Sequence, residues 1–205
     1  MGTRGVIGFR IDDKDKVMYN HMDSYPEYLG VKILEEIDEI ISLDVSKTVK
    51  KTRINKLKEK VRNIRLIEEL EKKLSPLDIE WAKQHGFANF DVGSKEISWY
   101  QLLRGMQGDL ISCLKHSVML DAKDFIKDSL FCEWGYIINL DSLELEVWKG
   151  FQTEPTDGNR YGEGVSYTCH EGDHYYPCKK VASWPLDELP SEAVMKHLEK
   201  LEDEE

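Results

Sequence analysis

The densest group of side chains that could bind or transform a ligand lies at residues 19–26, with the sequence YNHMDSYP. His21 and Asp23 could hydrogen-bond a ligand or act as a general acid–base pair, and Tyr19 and Tyr25 offer aromatic faces for stacking. Functional side chains often collect in loops between a strand and a helix, and this segment has that position. The structural alternative is that Asp23 or Ser24 caps the helix that follows, and that Tyr25 and Pro26 form a rigid turn packed on the core.

Two arginines flank a glycine-containing strand close to the beginning of the chain. Alternate strand positions share a face, so Arg4, Gly8 and Arg10 are predicted to point the same way. Two guanidinium groups beside a glycine suit a phosphate or carboxylate ligand. Cross-strand ion pairs with Glu144 or Glu146 are the alternative explanation.

Residues 150–177 are rich in Gly, Tyr, Asp and Thr and show no sustained periodicity. Loops of this length inside a compact domain are usually functional or mobile, which draws attention to Arg160 within it. The residues that we predict to bind a ligand are Arg4, Arg10, Tyr19, His21, Asp23, Tyr25 and Arg160.

One spacing in the chain is typical of a metal site. Cys169 and His170 are followed by His174 and Cys178, and Cys132 lies elsewhere in the chain. Thiolates and imidazoles are zinc ligands, and Cys169, His174 and Cys178 with either His170 or Cys132 would provide four. We predict no resident cofactor and keep zinc as the alternative, because no Cys-x-x-Cys pair is present.

The elements that must position these side chains follow from the hydrophobic periodicity. Residues 3–11 and 16–19 predict a hairpin with a turn at 12–15, and residues 132–140 and 143–148 predict a second strand pair. A last strand is predicted at 179–184.

Helices are predicted between these strands and after the last one. Their ranges are 28–41, 48–74, 76–86, 99–104, 109–120 and 191–201, and the last is expected to turn Val194, Leu198 and Leu201 inward. Ser75, Ser98, Asp109 and Ser191 are the predicted N-caps. The pattern predicts an α+β fold in one domain, 1–205, with a mostly antiparallel sheet built from both chain ends and a mainly helical insert, 29–130, packed on it.

The charge distribution narrows the classes of partner. The chain has 28 Lys and Arg against 39 Asp and Glu, a net charge of −11. Residues 47–73 carry an excess of basic residues, so they predict a solvated basic helix, or one that attracts nucleic acid or pairs with an acidic partner or with the acidic body of the protein itself. Nucleic acid is an unlikely main partner because the rest of the chain opposes phosphate binding. No apolar run of about 18 residues or secretory leader is evident, so we expect no membrane partner and a cytoplasmic location.

Three segments resemble an uncharacterised family of small proteins, many of them encoded by bacteriophages and prophages. They are the opening MGTRG, the turn YNHMDSYP at 19–26, and the aromatic strand pair WGYIINLD at 134–141 with EVWKG at 146–150. The similarity covers both β-rich ends of the chain and carries no known activity. It implies a phage-encoded protein that acts in the host cell cytoplasm.

A more distant similarity is to the N-terminal-nucleophile hydrolases, which begin with a catalytic residue on a first strand. That chemistry requires Cys, Ser or Thr as the first residue after processing, because the free amine is the base. Removal of Met1 would expose Gly2 here, and Thr3 comes one residue later.

These observations together predict a non-catalytic binding protein, an inhibitor of host defence that sequesters a small nucleotide-like or phosphorylated ligand or occludes a host protein. The alternatives are a hydrolase that uses Thr3 or a His21–Asp23 acid–base pair, and a zinc-stabilised interaction domain. A homo-oligomer is also considered, because Trp134, Trp148 and Phe151 are large apolar groups near a predicted sheet edge.

Overall fold

A computed structural model describes residues 2–42, 45–68, 74–86, 98–169 and 172–200 of the chain. The described strands are β1 Gly5–Ile11, β2 Lys14–Asn20, β3 Arg65–Ile67, β4 Val118–Leu120, β5 Trp134–Asn139, β6 Glu144–Lys149, β7 Tyr167–Thr168, β8 His174–Tyr175 and β9 Lys179–Pro185. The described α-helices are α1 Val31–Ile41, α2 Lys47–Arg62, α3 Pro76–Gln84, α4 Trp99–Leu102, α5 Leu110–His116 and α6 Glu192–His197. A π-helical turn, Pro26–Gly30, precedes α1, and 3₁₀ turns lie at Arg104–Met106 and Phe125–Lys127.

The main sheet has five strands in the order β2-β1-β5-β6-β9. β1 pairs in parallel with β5, and the other three pairings are antiparallel. The sheet therefore joins the beginning of the chain to its last third, and the predicted α+β class with a mostly antiparallel sheet from both chain ends is confirmed.

The two faces of β1 serve different purposes. Ile7 and Phe9 are fully buried and belong to the large core that the sheet shares with the helices. Val6 points to the other face and packs in a smaller cluster with Ile126 and Trp148. Side chains of a strand alternate between faces, so Gly8 and Arg10 lie on the same face as Val6.

Local capping follows the sequence closely. Ser75, Ser98, Asp109 and Ser191 each accept a hydrogen bond from a backbone N–H of the helix that they precede, as predicted. Ser75 and Ser98 form complete capping boxes, in which the third helical residue also bonds back to the cap. These four helices therefore begin at the N-cap residues that the sequence predicts.

Two predicted helix ends are wrong. The helix predicted at 48–74 ends at Arg62, and the helix predicted at 109–120 ends at His116. β3 and β4 follow these two ends and pair with each other in parallel. Ser117 adopts a left-handed conformation with φ 53°, which stops α5, and its carbonyl accepts a hydrogen bond from Arg65 N at 2.9 Å.

Three apolar side chains lie elsewhere than predicted. In α6 the buried residue is Met195, whereas Val194 is 48% exposed, and Leu201 lies outside the described residues. Trp134 and Trp148 are 4% exposed because their strands lie inside the sheet rather than at its edge. Of the three groups predicted at an edge, only Phe151 is exposed.

None of the helices in the described ranges combines the length with the apolar character that a bilayer-spanning segment requires.

Candidate functional site

A cleft of about 770 Å³ lies between the end of β2 and the segment that follows β4. Ala122 donates a backbone hydrogen bond to Val17 O at 2.9 Å, which holds this segment beside β2. We call it the aromatic cleft, because Tyr19, Tyr100 and Phe125 are among its lining residues together with His21. The structure therefore brings two residues of the predicted segment 19–26 to the wall of a cleft.

The rings of the aromatic cleft are arranged around Tyr19. Its ring meets Phe125 edge to face with centroids 5.1 Å apart, and the Tyr100 centroid lies 6.4 Å away. The Tyr19 hydroxyl is 2.8 Å from His21 Nδ1. The Tyr100 hydroxyl accepts a hydrogen bond from Arg104, whose guanidinium also lies over the Tyr100 ring. These contacts hold the rings in fixed positions.

The titration of the polar groups in this cleft follows from their surroundings. Burial lowers the pKa of His21, and the charges of Arg104 and Arg4 lower it further. The imidazole is therefore neutral at neutral pH. Burial also raises the pKa of Tyr19, which keeps its hydroxyl protonated. The cleft presents neutral hydrogen-bonding groups beside the aromatic rings.

The carboxylates along the same wall differ in their partners. Asp121 pairs with Lys123 at 3.0 Å, and Asp124 pairs with Lys127 at 2.7 Å. Asp128 has a buried Oδ1 atom without a hydrogen-bond partner among the described residues. Burial raises the pKa of Asp128, although the backbone N–H groups of Phe131 and Leu130 act to lower it.

A second cleft, of about 440 Å³, adjoins the first one. We call it the cationic cleft, because five Lys and Arg side chains line it against three Asp side chains. Lys123 and Asp124 line both clefts, so the two clefts are neighbours at these residues. The cations that line it are Arg10, Lys14, Lys123, Lys127 and Arg160.

Arg160 joins the long loop to the face of the sheet. Its guanidinium lies 2.7 Å from the Glu146 carboxylate and 3.6 Å from Asp15, and 4.6 Å from the Trp148 ring centroid. The adjacent Tyr161 donates to Asp15 Oδ2 at 2.8 Å. Arg160, which the sequence predicts to bind a ligand, therefore lies in a buried ionic cluster. This cluster is on the face of the sheet that also carries Arg10.

Glu146 is held by three donors in this cluster. Burial acts to raise its pKa, but hydrogen bonds from Arg160, Asn139 and Trp148 outweigh burial and lower it. Arg10 pairs with Asp13 and Asp15 instead of Glu146. The alternative of a cross-strand pair between Arg10 and Glu146 is therefore not what the structure shows.

Three predicted ligand-binding residues lie outside the two clefts. Arg4 lies over the Phe131 ring at 5.5 Å, and Tyr25 lies 6.4 Å from the ring of Tyr28. Asp23 is exposed and adopts a positive φ of 56°. Within the described residues, no hydrogen bond or ion pair joins Asp23 to His21, and the Nδ1 atom of His21 lies 2.8 Å from the Tyr19 hydroxyl instead.

Thr3, the residue required by the hydrolase alternative, is 1% exposed. Its hydroxyl is buried and has no hydrogen-bond partner among the residues that the structure describes. Its carbonyl accepts a hydrogen bond from Ser24 N, which ties this part of the chain to the turn before α1. A substrate would reach the hydroxyl only after this packing had opened.

The residues considered for zinc do not come together as one group in the part of the chain that the structure describes. Cys132 and Cys178 are fully buried and adjacent, with Cys178 Sγ 3.3 Å from Cys132 O. Cys169 Sγ contacts Asp173, and His174 contacts Thr168. His170 lies outside the described residues, and within those that the structure describes no three His, Cys, Asp or Glu side chains form a metal-binding group.

Sequence reasoning missed Tyr100, Lys123, Phe125 and Asp128 as members of the site. Segment 121–128 reads DAKDFIKD, which resembles an ordinary charged turn. This segment lines the aromatic cleft because Ala122 is hydrogen-bonded to Val17, and no local sequence pattern predicts that contact.

No family model, curated protein or solved structure is significantly similar to this chain.

Proposed function

We propose that this protein binds a small nucleotide-like ligand across the aromatic and cationic clefts and holds it without turnover. The observation that carries the proposal is that the two clefts are neighbours and share Lys123 and Asp124 in their lining. One cleft has the chemistry that receives a planar heterocycle, and the other has an excess of cations for a phosphate.

The aromatic cleft suits the base. Flat heterocycles stack on tyrosine and phenylalanine rings whatever the base, since each base has a π-face. Tyr19, Tyr100 and Phe125 provide such rings. The amino and imino groups of bases are donors that pair with carboxyl oxygens, and Asp121, Asp124 and Asp128 line this cleft.

The cationic cleft suits the phosphate. Lys123 and Lys127 are about half exposed, and each is paired with one nearby aspartate. An exposed pair of this kind is weak, so either lysine can turn from its aspartate to a phosphate at little cost. Arg10 and Arg160 are held more firmly by carboxylates and would contribute mainly to the local potential.

Binding without turnover is favoured by the state of the candidate catalytic groups. The Thr3 hydroxyl is 1% exposed, and His21 contacts Tyr19 rather than an acid. A nucleophile with a base in reach is the minimum for covalent hydrolysis. Sequestration of a nucleotide signal by an inhibitor of host defence is the role that we propose for such binding.

Isothermal titration calorimetry with matched nucleosides and nucleoside mono-, di- and triphosphates tests the proposal. We expect Tyr100→Leu to weaken both nucleoside and nucleotide roughly tenfold through loss of stacking. The double variant Lys123→Gln/Lys127→Gln should weaken the nucleotide but leave the nucleoside unchanged. The control is Lys179→Gln/Lys180→Gln, which removes two exposed charges on β9 and should bind both as the wild type does.

Chromatography of the nucleotide after prolonged incubation completes the test, and we expect it to be recovered unchanged. The proposal is wrong if no member of the panel binds, or if binding persists unaltered in both cleft variants. Multiple turnover by the wild type would restore the enzyme alternative.

A further inference from the structure

A groove of about 770 Å³ lies between α1, α2 and α5, apart from both clefts. We call it the helical groove. α2 contributes Arg53, Lys56, Leu57 and Lys60, which are spaced i, i+3, i+4 and i+7 and therefore share one helix face. Leu57 is buried, whereas Lys56 and Lys60 are exposed. The α2 side of the groove is thus an apolar base with a basic rim.

The opposite side of the helical groove repeats this arrangement. α5 contributes Ile111, Leu114 and Lys115, again at helical spacing, and Ile40 comes from the end of α1. Lys115 is exposed, and Leu114 is buried. The base of the groove is therefore aliphatic on both sides, with basic side chains above it.

The basic charge of this groove is not compensated locally. Four cations line it against one carboxylate, that of Glu39. Within the described residues none of these cations has a carboxylate at salt-bridge distance, and Arg53 instead donates to Ile41 O at 3.5 Å. The whole chain has a net charge of −11, so this is a local reversal of sign.

We infer that the helical groove binds an acidic amphipathic α-helix of a partner protein. A helix that places aliphatic side chains at i, i+3, i+4 and i+7 can lay them on the apolar base of a groove. Asp or Glu residues beside that ridge would then face Lys56, Lys60 and Lys115. Charge complementarity of this kind fixes orientation and raises the association rate.

The same lining disfavours a nucleic acid in this groove. Binding of single strands relies on bases that stack on aromatic side chains, and no aromatic residue lines this groove in the described part of the chain. The acidic remainder of the molecule would also repel a phosphate backbone. An acidic helix needs no aromatic platform, and its aliphatic side chains would match the apolar base of the groove.

Fluorescence anisotropy of a labelled peptide with the full chain tests this inference. The probe is a peptide of about 18 residues, or five helical turns, with leucines at the spacing above, glutamates beside that ridge and alanines elsewhere. The reference probe has the same composition with its leucines spread around the helix. We expect saturable binding of the first peptide and at least about tenfold weaker binding of the second.

Variants of α2 then locate the binding. Lys56→Glu/Lys60→Glu should weaken binding at least about tenfold, because two attractions become repulsions. Lys47→Glu/Lys51→Glu makes the same charge change at exposed positions of the same helix outside the groove, and should change the affinity less than about twofold, an effect of long-range charge alone. Lys115→Glu on α5 provides an independent variant, and circular dichroism confirms that each variant is folded.

Four results would each overturn the inference: no saturable binding, equal binding of both peptides, equal weakening by the two α2 double variants, or tighter binding of oligothymidylate that is lost in Lys56→Glu/Lys60→Glu. The last of these would assign the groove to nucleic acid.

Discussion

At the scale of single residues, the ionic cluster on the outer face of the sheet shows how a buried charge is made stable. The Glu146 side chain is 2% exposed, and it receives hydrogen bonds from Arg160, Asn139 and Trp148. Burial of an unpaired carboxylate would be prohibitive, so these donors are what allows the charge to persist. The cluster also fastens the loop after β6 to the sheet.

Replacement of Glu146 by Gln should lower the free energy of unfolding by about 2–4 kcal/mol, because the buried guanidinium of Arg160 loses the closer of its two carboxylates. Glu144→Gln is the matched control. Glu144 lies two residues earlier in the same strand and is less buried, and its replacement should change stability by less than about 0.5 kcal/mol. Urea denaturation of the three proteins measures both values, and equal stability of the two variants would contradict the prediction.

The stability contributed by Glu146 should depend on pH. Its pKa in the folded protein is lower than in the unfolded chain, so the stabilisation is complete above the unfolded pKa and disappears as the pH falls through the folded pKa. The wild type and Glu146→Gln should therefore differ in stability at pH 7 and converge as the pH falls below about 4. A difference that stays constant down to pH 3 would mean that the charge is not responsible.

Residue chemistry predicted part of the site. Tyr19, His21, Arg10 and Arg160 were singled out by their types and their neighbourhood, and the structure places each on a cleft. Whether these clefts bind a ligand stays a prediction. The partner of Arg160 could not be read from the loop, because Glu146 lies on a strand that the loop meets only in the folded chain.

At the scale of secondary-structure elements, the parallel pairing of β1 with β5 is the contact that closes the sheet. Gly5 faces Trp134 in this pairing. A Cβ atom at Gly5 would lie 2.2 Å from Trp134 O and 2.8 Å from the Ser24 Cβ atom. The backbone of β5 cannot withdraw without breaking the ladder, so this position requires glycine.

Gly5→Ala should therefore lower the free energy of unfolding by about 3 kcal/mol, the upper end of the usual cost of steric overpacking, because the added Cβ meets backbone that cannot move aside. Gly164→Ala is the matched control, since an added Cβ there meets no atom within 4 Å. It should alter the unfolding free energy by less than about 0.5 kcal/mol. Thermal and urea unfolding compare the two variants, and a Gly5→Ala protein as stable as the wild type would show that β1 and β5 do not approach this closely.

The short strands β3 and β4 explain why two helices were predicted too long. Three-residue strands contain too few positions for a twofold period to be recognised, and their apolar side chains fit a helical period equally well. β3 and β4 exist because they pair with each other across more than fifty residues of chain. At these positions the long-range strand pairing outweighs the local propensity for helix.

At the scale of the whole molecule, the helical insert and the two chain ends build one core. The large cluster of buried side chains includes Ile33, Leu57 and Leu110 from the insert, and Phe9 and Tyr136 from the sheet. An insert that buries its apolar faces against the sheet loses that burial when the sheet is removed, and isolated short helices are marginal in water.

The excised fragment 29–130 should therefore fail to fold. We expect a circular dichroism spectrum with little helix and no cooperative thermal transition, whereas the full chain should show one. A fragment that melts cooperatively with the ellipticity of the native helices would contradict the prediction and establish the insert as an independent domain.

The sequence by itself determined the class of fold, the β1–β2 hairpin and the β5–β6 strand pair. It also determined where four helices start, at Ser75, Ser98, Asp109 and Ser191. These features depend on neighbours a few residues away, through alternation of side chains and satisfaction of backbone N–H groups.

Only the tertiary structure decided that β1 runs parallel to β5, that the segment after β4 closes a cleft over Tyr19, and that Arg160 reaches Glu146. Each of these contacts joins residues that are far apart in the chain. They form because the folded chain as a whole buries the most apolar surface in this arrangement, and no local segment determines that total.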